Sequence, residues 1–158
     1  MARRIDYHND PQAPTPNSRV PSVNVIVVDD LGQVLMIRRT DNNNWALPGG
    51  AIDLGESVPD AAIRETQEES GITCEITGVS GIYSDPRHVI LYTSNGEARQ
   101  EFSIVLTAEP VSGTPTPSSE SHEVRWVPVT ELHHYPMDRS MRMRLDNFQK
   151  KHAQPHIG

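Results

Sequence analysis

The chain has 158 residues, enough for one domain with a core of its own, although only 35% are hydrophobic and 5% aromatic. Its formal charge is −7, from 14 basic against 21 acidic residues, which disfavours a long nucleic acid as partner. A single cysteine, Cys74, rules out an intrachain disulfide. No apolar run reaches the ~20 residues of a membrane span, and the opening MARRIDYHNDPQAPTPNS lacks the apolar stretch of a secretory signal. The expected setting is cytoplasmic, with no membrane partner. A small phosphorylated ligand stays open, because a metal ion can supply local positive charge.

Residues 1–19, with Pro11, Pro14 and Pro16, read as a flexible N-terminal arm. Residues 22–28 (SVNVIVV) and 33–38 (QVLMIR) read as a hairpin of strands about the turn Asp29–Gly32. Trp45-Ala46-Leu47 then runs into Pro48-Gly49-Gly50, which ends any strand. A helix is predicted from Glu56 or Ser57, with Pro59 in its first turn, to the stop signal Ser70-Gly71. Strands follow at 72–77 and 79–83, then a loop (Ser84–Arg87), then strands at 88–93 and 100–107 around the turn pair Asn95-Gly96. Residues 109–121 form a long Pro/Ser/Thr loop, 123–127 a strand, 129–134 a helical turn and 138–151 a C-terminal helix with Met141, Leu145 and Phe148 on one stripe. This order argues for a single α/β domain with a mixed sheet over residues 20–152, followed by a tail at 153–158.

The first helix carries Glu65, Glu68 and Glu69. At about 100° per residue, these acids fall in the same stripe as Val58, Ala61 and Ala62 rather than opposite it. Carboxylates on an apolar face need a counter-charge, and Arg64 alone cannot balance three. Oxygen donors without histidine or cysteine suit a hard ion, Mg²⁺ or Mn²⁺. Gly49-Gly50 let backbone carbonyls approach such an ion. Clusters of this kind bind diphosphates, polarise a phosphoryl oxygen and help ionise water.

The stretch Gly50, Glu56, Arg64-Glu65, Thr66, Glu68-Glu69, Gly71, Ile72 resembles the signature of the Nudix hydrolase family. Its one departure is Thr66, where the pattern has a bulkier apolar residue. The resemblance implies an α/β/α sandwich with a mixed β-sheet flanked by helices. It also implies metal-dependent hydrolysis of a nucleoside diphosphate linked to another group. By position, Glu65, Glu68, Glu69 and the Gly49 carbonyl would hold Mg²⁺ or Mn²⁺, Arg64 would orient the glutamates, and Glu56, Gly50 and Gly71 would brace the loop. The general base would be Glu65 or Glu68, or Glu120 from the distant loop.

Arg38, Arg39, Trp45, Asp85 and Arg87 are candidate substrate contacts, and Glu101 is placed either in the site or in solvent. Among substrates, ADP-ribose is favoured by Pro86, which lies near a proline position of some family members. A (d)NTP such as 8-oxo-dGTP is the alternative, and a nucleotide sensor without activity is a third reading. The seven histidines show no metal-ligand spacing, and the family resemblance leaves a homodimer open.

Overall fold

The computed structural model describes residues 3–158. Two helices and eleven strands build it: β1 (Arg4–His8), β2 (Ser22–Val27), β3 (Gln33–Arg39), β4 (Trp45–Ala46), β5 (Gly49–Ala51), α1 (Val58–Ser70), β6 (Thr73–Tyr83), β7 (His88–Tyr92), β8 (Glu97–Gln100), β9 (Ser103–Ser112), β10 (Ser121–Pro128), α2 (Arg139–Gln149) and β11 (His156–Ile157). A 3₁₀ turn, Val129–His134, precedes α2. No helix among the described residues is long and apolar enough to cross a membrane.

The central sheet is mixed, in the order β11-β6-β9-β2-β5, with β2 parallel to β9 and antiparallel to β5. Alternation along β2 decides the layering. Val23, Val25 and Val27 pack with Ala61, Ala62 and Ile72 on the α1 side. Ile26 packs with Met141 and Leu145 on the α2 side. A strand flanked by residues of both parities in two separate apolar clusters is the middle of an α/β/α sandwich, as the family resemblance implies. Two three-stranded antiparallel sheets, β10-β3-β4 and β1-β7-β8, complete the fold.

Several sequence readings change. The expected hairpin of 22–28 and 33–38 is split between two sheets: β2 lies in the central sheet and β3 in the β10-β3-β4 sheet, joined by a bridge at Val28↔Val34. Gly49-Gly50, expected to end any strand, begin β5, and β9 runs to Ser112, into the expected loop. Residues 4–8 of the expected flexible arm form β1, paired antiparallel with β7 from Arg4↔Tyr92 to His8↔His88. The sequence RIDYH already alternates charged and apolar residues, the period of a strand with one face inward. Residues 72–77 and 79–83 are one strand, and register shifts at Ile76/Gly78 and Val79/Gly81 replace the expected break. The predicted strand 100–107 is two strands, because Glu101-Phe102 carries the chain from the β1-β7-β8 sheet to the central one. The expected tail ends in β11, which adds to the edge of the central sheet parallel to β6.

Candidate active site

Helix α1 starts at Ser57, whose hydroxyl accepts from the Asp60 N–H, while the Asp60 carboxylate accepts from the Ser57 N–H. It ends at Gly71 in the left-handed region, φ 77°. Between these ends Ala61, Ala62, Thr66, Glu69 and Ser70 are buried. Glu69 thus shares the inward face with the small residues. Thr66 fills the apolar position without exposure, and its Oγ1 has no hydrogen-bond partner among the described residues.

The three glutamates differ. Glu69 is 6% exposed and accepts from the Gly49 N–H at 3.3 Å. Glu65 is in hydrogen-bond contact with Glu69. Burial, and then the Glu65 carboxyl beside it, push Glu69 up to about 9. Burial also raises Glu65, against the pull of Arg64. The side chain of Glu68 is 56% exposed and turns to Arg64 at 3.2 Å. Two desolvated carboxylates in contact require a shared proton or a cation between them. An all-oxygen donor set with this unmet charge fits a hard divalent ion held by Glu65 and Glu69, with Glu68 at the rim and Gly49 beside them.

Arg64 is the hub of this arrangement. It reaches Glu56 through Nε at 2.6 Å and Nη2 at 2.8 Å, Glu65 and Glu68 through Nη1 at 2.9 and 3.2 Å, and the Ala51 carbonyl at 3.2 Å. The guanidinium holds the Glu56 carboxyl at about 2, with help from the Asp53 N–H. One planar fork therefore ties the loop before α1 to two glutamates on it. Arg64→Lys keeps the charge and loses the fork. We expect kcat to fall about 10- to 100-fold, read in steady-state kinetics, with little change in melting temperature, since this group sits near the surface. Unchanged kcat in this variant would remove the positioning role from Arg64.

Gly50 is fitted to the glutamates sterically. A Cβ there would lie 2.6 Å from the Glu65 carboxylate carbon. The loop after β9 comes back over the end of α1: the Thr116 N–H donates to the Ser70 carbonyl at 2.8 Å and the Ser121 hydroxyl to the Glu69 carbonyl. That loop brings Glu120 to the cavity that Glu69 lines, where its charge adds to the upward push on Glu69.

The cavity is about 450 Å³. Gly49, Gly50, Glu69 and Glu120 line it with Arg39, Arg4, Arg99, Arg144, Asn24 and Glu101. Of the substrate contacts expected from the sequence, Arg39 lines it, its guanidinium paired with Asp41 at 2.6 Å. Arg38, on the other face of β3, does not line it and pairs with Glu123 at 2.8 Å. Trp45 is 5% exposed in the α2-side core, edge-on to Tyr135 and under Arg125, so it has no face left to stack on a ligand. Asp85 and Arg87 pair with each other at 2.9 Å in the β6–β7 turn, outside the cavity. Pro86 sits exposed in that same turn.

Sequence reasoning missed Arg4, Arg99, Arg144 and Asn24, which come from four elements with no local motif. It also missed that His8 and His88, 80 positions apart in sequence, meet Asp6 with one ligand-type atom each within 4.8 Å. Asp6 there accepts from Arg4 at 2.8 and 3.1 Å, so the cluster reads first as a brace for that arginine.

The NUDIX domain model matches residues 18–148. The chain belongs to the Nudix family. Members of this family are hydrolases that act on pyrophosphate bonds, and they generally use divalent metals. A "MutT-like protein" of Streptomyces ambofaciens is 34% identical over 127 residues, which cover 80% of this chain and 75% of the relative. Two shorter matches span well under half of the relatives' lengths. An "ADP-ribose pyrophosphatase" of Methanocaldococcus jannaschii is 35% identical over 63 residues, 38% of this chain and 37% of the relative. A Bacillus subtilis protein provisionally named as an 8-oxo-dGTP diphosphatase is 41% identical over 63 residues, 40% of this chain and 42% of the relative. A Nudix hydrolase structure from Nitrosomonas europaea superposes with a TM-score of 0.69 at 23% identity, over 90% of this chain and 80% of that one, and supports the Nudix fold.

Proposed function

We propose that this chain is a metal-dependent pyrophosphohydrolase of small nucleotides, with a nucleoside diphosphate linked to a sugar, such as ADP-ribose, as the favoured substrate. The observation that carries this is the contact of two desolvated carboxylates, Glu65 and Glu69, beside a cavity whose other walls hold Arg4, Arg99 and Arg144. Carboxylates alone repel a diphosphate. A divalent ion held by Glu65, Glu69 and the Gly49 carbonyl would polarise a phosphoryl oxygen and acidify a bound water.

The chain's own residues supply the rest. Water attacks one phosphorus, the bond from it to the bridging oxygen breaks, and that oxygen departs with the electron pair on the leaving phosphate. A carboxylate oxygen takes the water's proton. Glu65 and Glu68, both held by Arg64 Nη1 next to Glu69, and Glu120 on the facing loop are the candidate acceptors. Asn24 and Glu101 add an amide and a carboxylate to the cavity lining, groups suited to hydroxyl-rich or base moieties. Pro86 does not line the cavity, so the structural support for ADP-ribose comes from this polar wall and from the name of one relative.

The second reading, a (d)NTP pyrophosphohydrolase, is favoured by the relative named for 8-oxo-dGTP. A coupled phosphatase assay over ADP-ribose, NDP-sugars, dinucleotide polyphosphates and (d)NTPs including 8-oxo-dGTP, with Mg²⁺, Mn²⁺ or EDTA, decides between them. We expect metal-dependent release from ADP-ribose at the highest kcat/KM. Preference for a (d)NTP by tenfold or more would install the second reading. No turnover of any substrate in either metal would leave a nucleotide sensor.

A further inference from the structure

We infer that β1 belongs to the substrate site: Arg4, together with Arg144 of α2, takes phosphate oxygens of the substrate in the cavity that Glu69 lines. This rests on the pyrophosphohydrolase reading for its substrate and on geometry for its residues.

Arg144 is 2% exposed, lines the cavity and is incompletely partnered. Its Nη1 donates to Asn24 Oδ1, its Nη2 stands 3.6 Å from Glu101, and its Nε has no hydrogen-bond partner among the described residues. A buried guanidinium with an orphan donor has lost water without full replacement. An acceptor oxygen entering the cavity supplies what is missing.

Arg4 approaches the same cavity from β1. Its Nε and Nη2 are fixed on Asp6 at 2.8 and 3.1 Å, and Asp6 contacts the His88 ring nitrogen at 3.2 Å. That brace uses one edge of the fork and leaves Nη1 for a second acceptor. Asp6 and His88 hold Arg4 across the β1–β7 ladder, where Asp6 pairs with Ile90 and His8 with His88. The guanidiniums also repel: the charge of Arg4 disfavours the charged forms of Arg144 and Arg39. Like charges gathered round one cavity are relieved by an anion. The lining also carries Asp41, Glu69, Glu101 and Glu120, so it is the unpaired donors of Arg4 and Arg144, rather than a net positive charge, that call for an anion. Phosphate is the anion a diphosphate substrate carries, and forked arginine is its matched donor. Residues 4–8 lie outside the 18–148 match to the family, so this contribution belongs to the chain's own N-terminal strand.

The test uses full-length protein and ADP as probe, with binding measured by calorimetry in EDTA and by competition during turnover. Arg4→Met keeps the aliphatic stem and its packing, and Asp6→Asn loosens the brace while leaving Arg4 in place. We expect ADP affinity to fall about 10-fold or more in Arg4→Met and less in Asp6→Asn, with KM for the substrate rising in step, kcat changed less, and Mn²⁺ affinity unchanged. Arg4→Lys is expected to restore part of the loss. ADP affinity and KM equal to wild type in Arg4→Met, with wild-type hydrolysis intact, would overturn the inference and leave the function standing. ADP binding that depends on Arg4 in a protein that hydrolyses nothing would sink the enzymatic reading and leave the inference. A loss in Arg4→Met that Arg4→Lys does not restore, accompanied by lowered melting temperature in both, would reduce Arg4 to a structural role and overturn it.

Discussion

Glu69→Gln is expected to lower kcat by about 10³-fold, roughly 4 kcal/mol of transition-state stabilisation, and at the same time to raise the melting temperature of the metal-free protein at pH 8. The two effects have one cause. Glu69 sits 6% exposed against Glu65, and its folded-state pKa is pushed up to about 9 from 4.5. A folded pKa above the unfolded one means that the folded state holds a proton the unfolded state releases. Stability is therefore fully present below about pH 4.5 and is lost as pH rises toward 9, by up to roughly 1.4 kcal/mol per unit. Glutamine has no proton to lose and still offers an oxygen to the Gly49 N–H and an amide to Glu65. In EDTA at pH 8 the variant should melt about 5–10 °C above wild type, a gap that closes toward pH 4.5. Mg²⁺ should then raise the wild type and leave the variant little changed. Thermal melts at pH 4.5 and 8, with and without Mg²⁺, beside single-substrate kinetics, check all of it. A variant that melts below wild type in EDTA at pH 8 would refute the picture of an uncompensated carboxylate pair.

How much of this could be read from residues alone follows from the range of the interactions. Helix α1 was legible within a residue at both ends, because Ser57 with Asp60 and Gly71 are local signals. The inward turn of Glu65 and Glu69 was legible too, a matter of periodicity along one helix, whereas Glu68, expected in the same stripe, is 56% exposed. The i,i+4 contact of Arg64 with Glu68 was legible, but its stronger bond to Glu56 joins a loop to a helix, and no helical wheel shows it. Glu120 could be proposed only through the family resemblance, and the loop's hydrogen bonds to the end of α1 supply its physical reason. The arginine wall was not legible. Arg4, Arg99 and Arg144 stand on β1, β8 and α2, and only the pairing of β1 with β7 and the packing of α2 bring them to one cavity. Trp45 failed for the reverse reason: an aromatic beside a glycine turn looks available for stacking, but distant contacts, Tyr135 at its edge and Arg125 over its ring, bury it.

The two signature glycines at the ends of the loop–helix unit should respond differently to alanine. At Gly50 the added Cβ meets the carboxylate of Glu65, with Cδ and Oε1 both at 2.6 Å. That is the far end of a side chain, which can rotate away, so the fold yields at little cost and Glu65 leaves its place beside Glu69. Gly50→Ala should lose about 10²-fold in kcat, bind Mn²⁺ more weakly and melt within about 2 °C of wild type. At Gly71 the backbone itself is the constraint. Its φ is 77°, and a Cβ would come 2.8 Å from the Thr114 carbonyl and from Thr116, in the loop that covers the helix end. Gly71→Ala meets both the left-handed penalty and a displaced loop, about 2–3 kcal/mol together, a fall of roughly 5–10 °C. Its kcat should drop less than that of Gly50→Ala, and only as far as Glu120, carried by the same loop, acts in the reaction. Melting curves and kcat measured on both variants separate the roles. If Gly50→Ala unfolds and Gly71→Ala melts as wild type, then Gly50 does not simply make room for a functional carboxylate and Gly71 does not simply turn the chain.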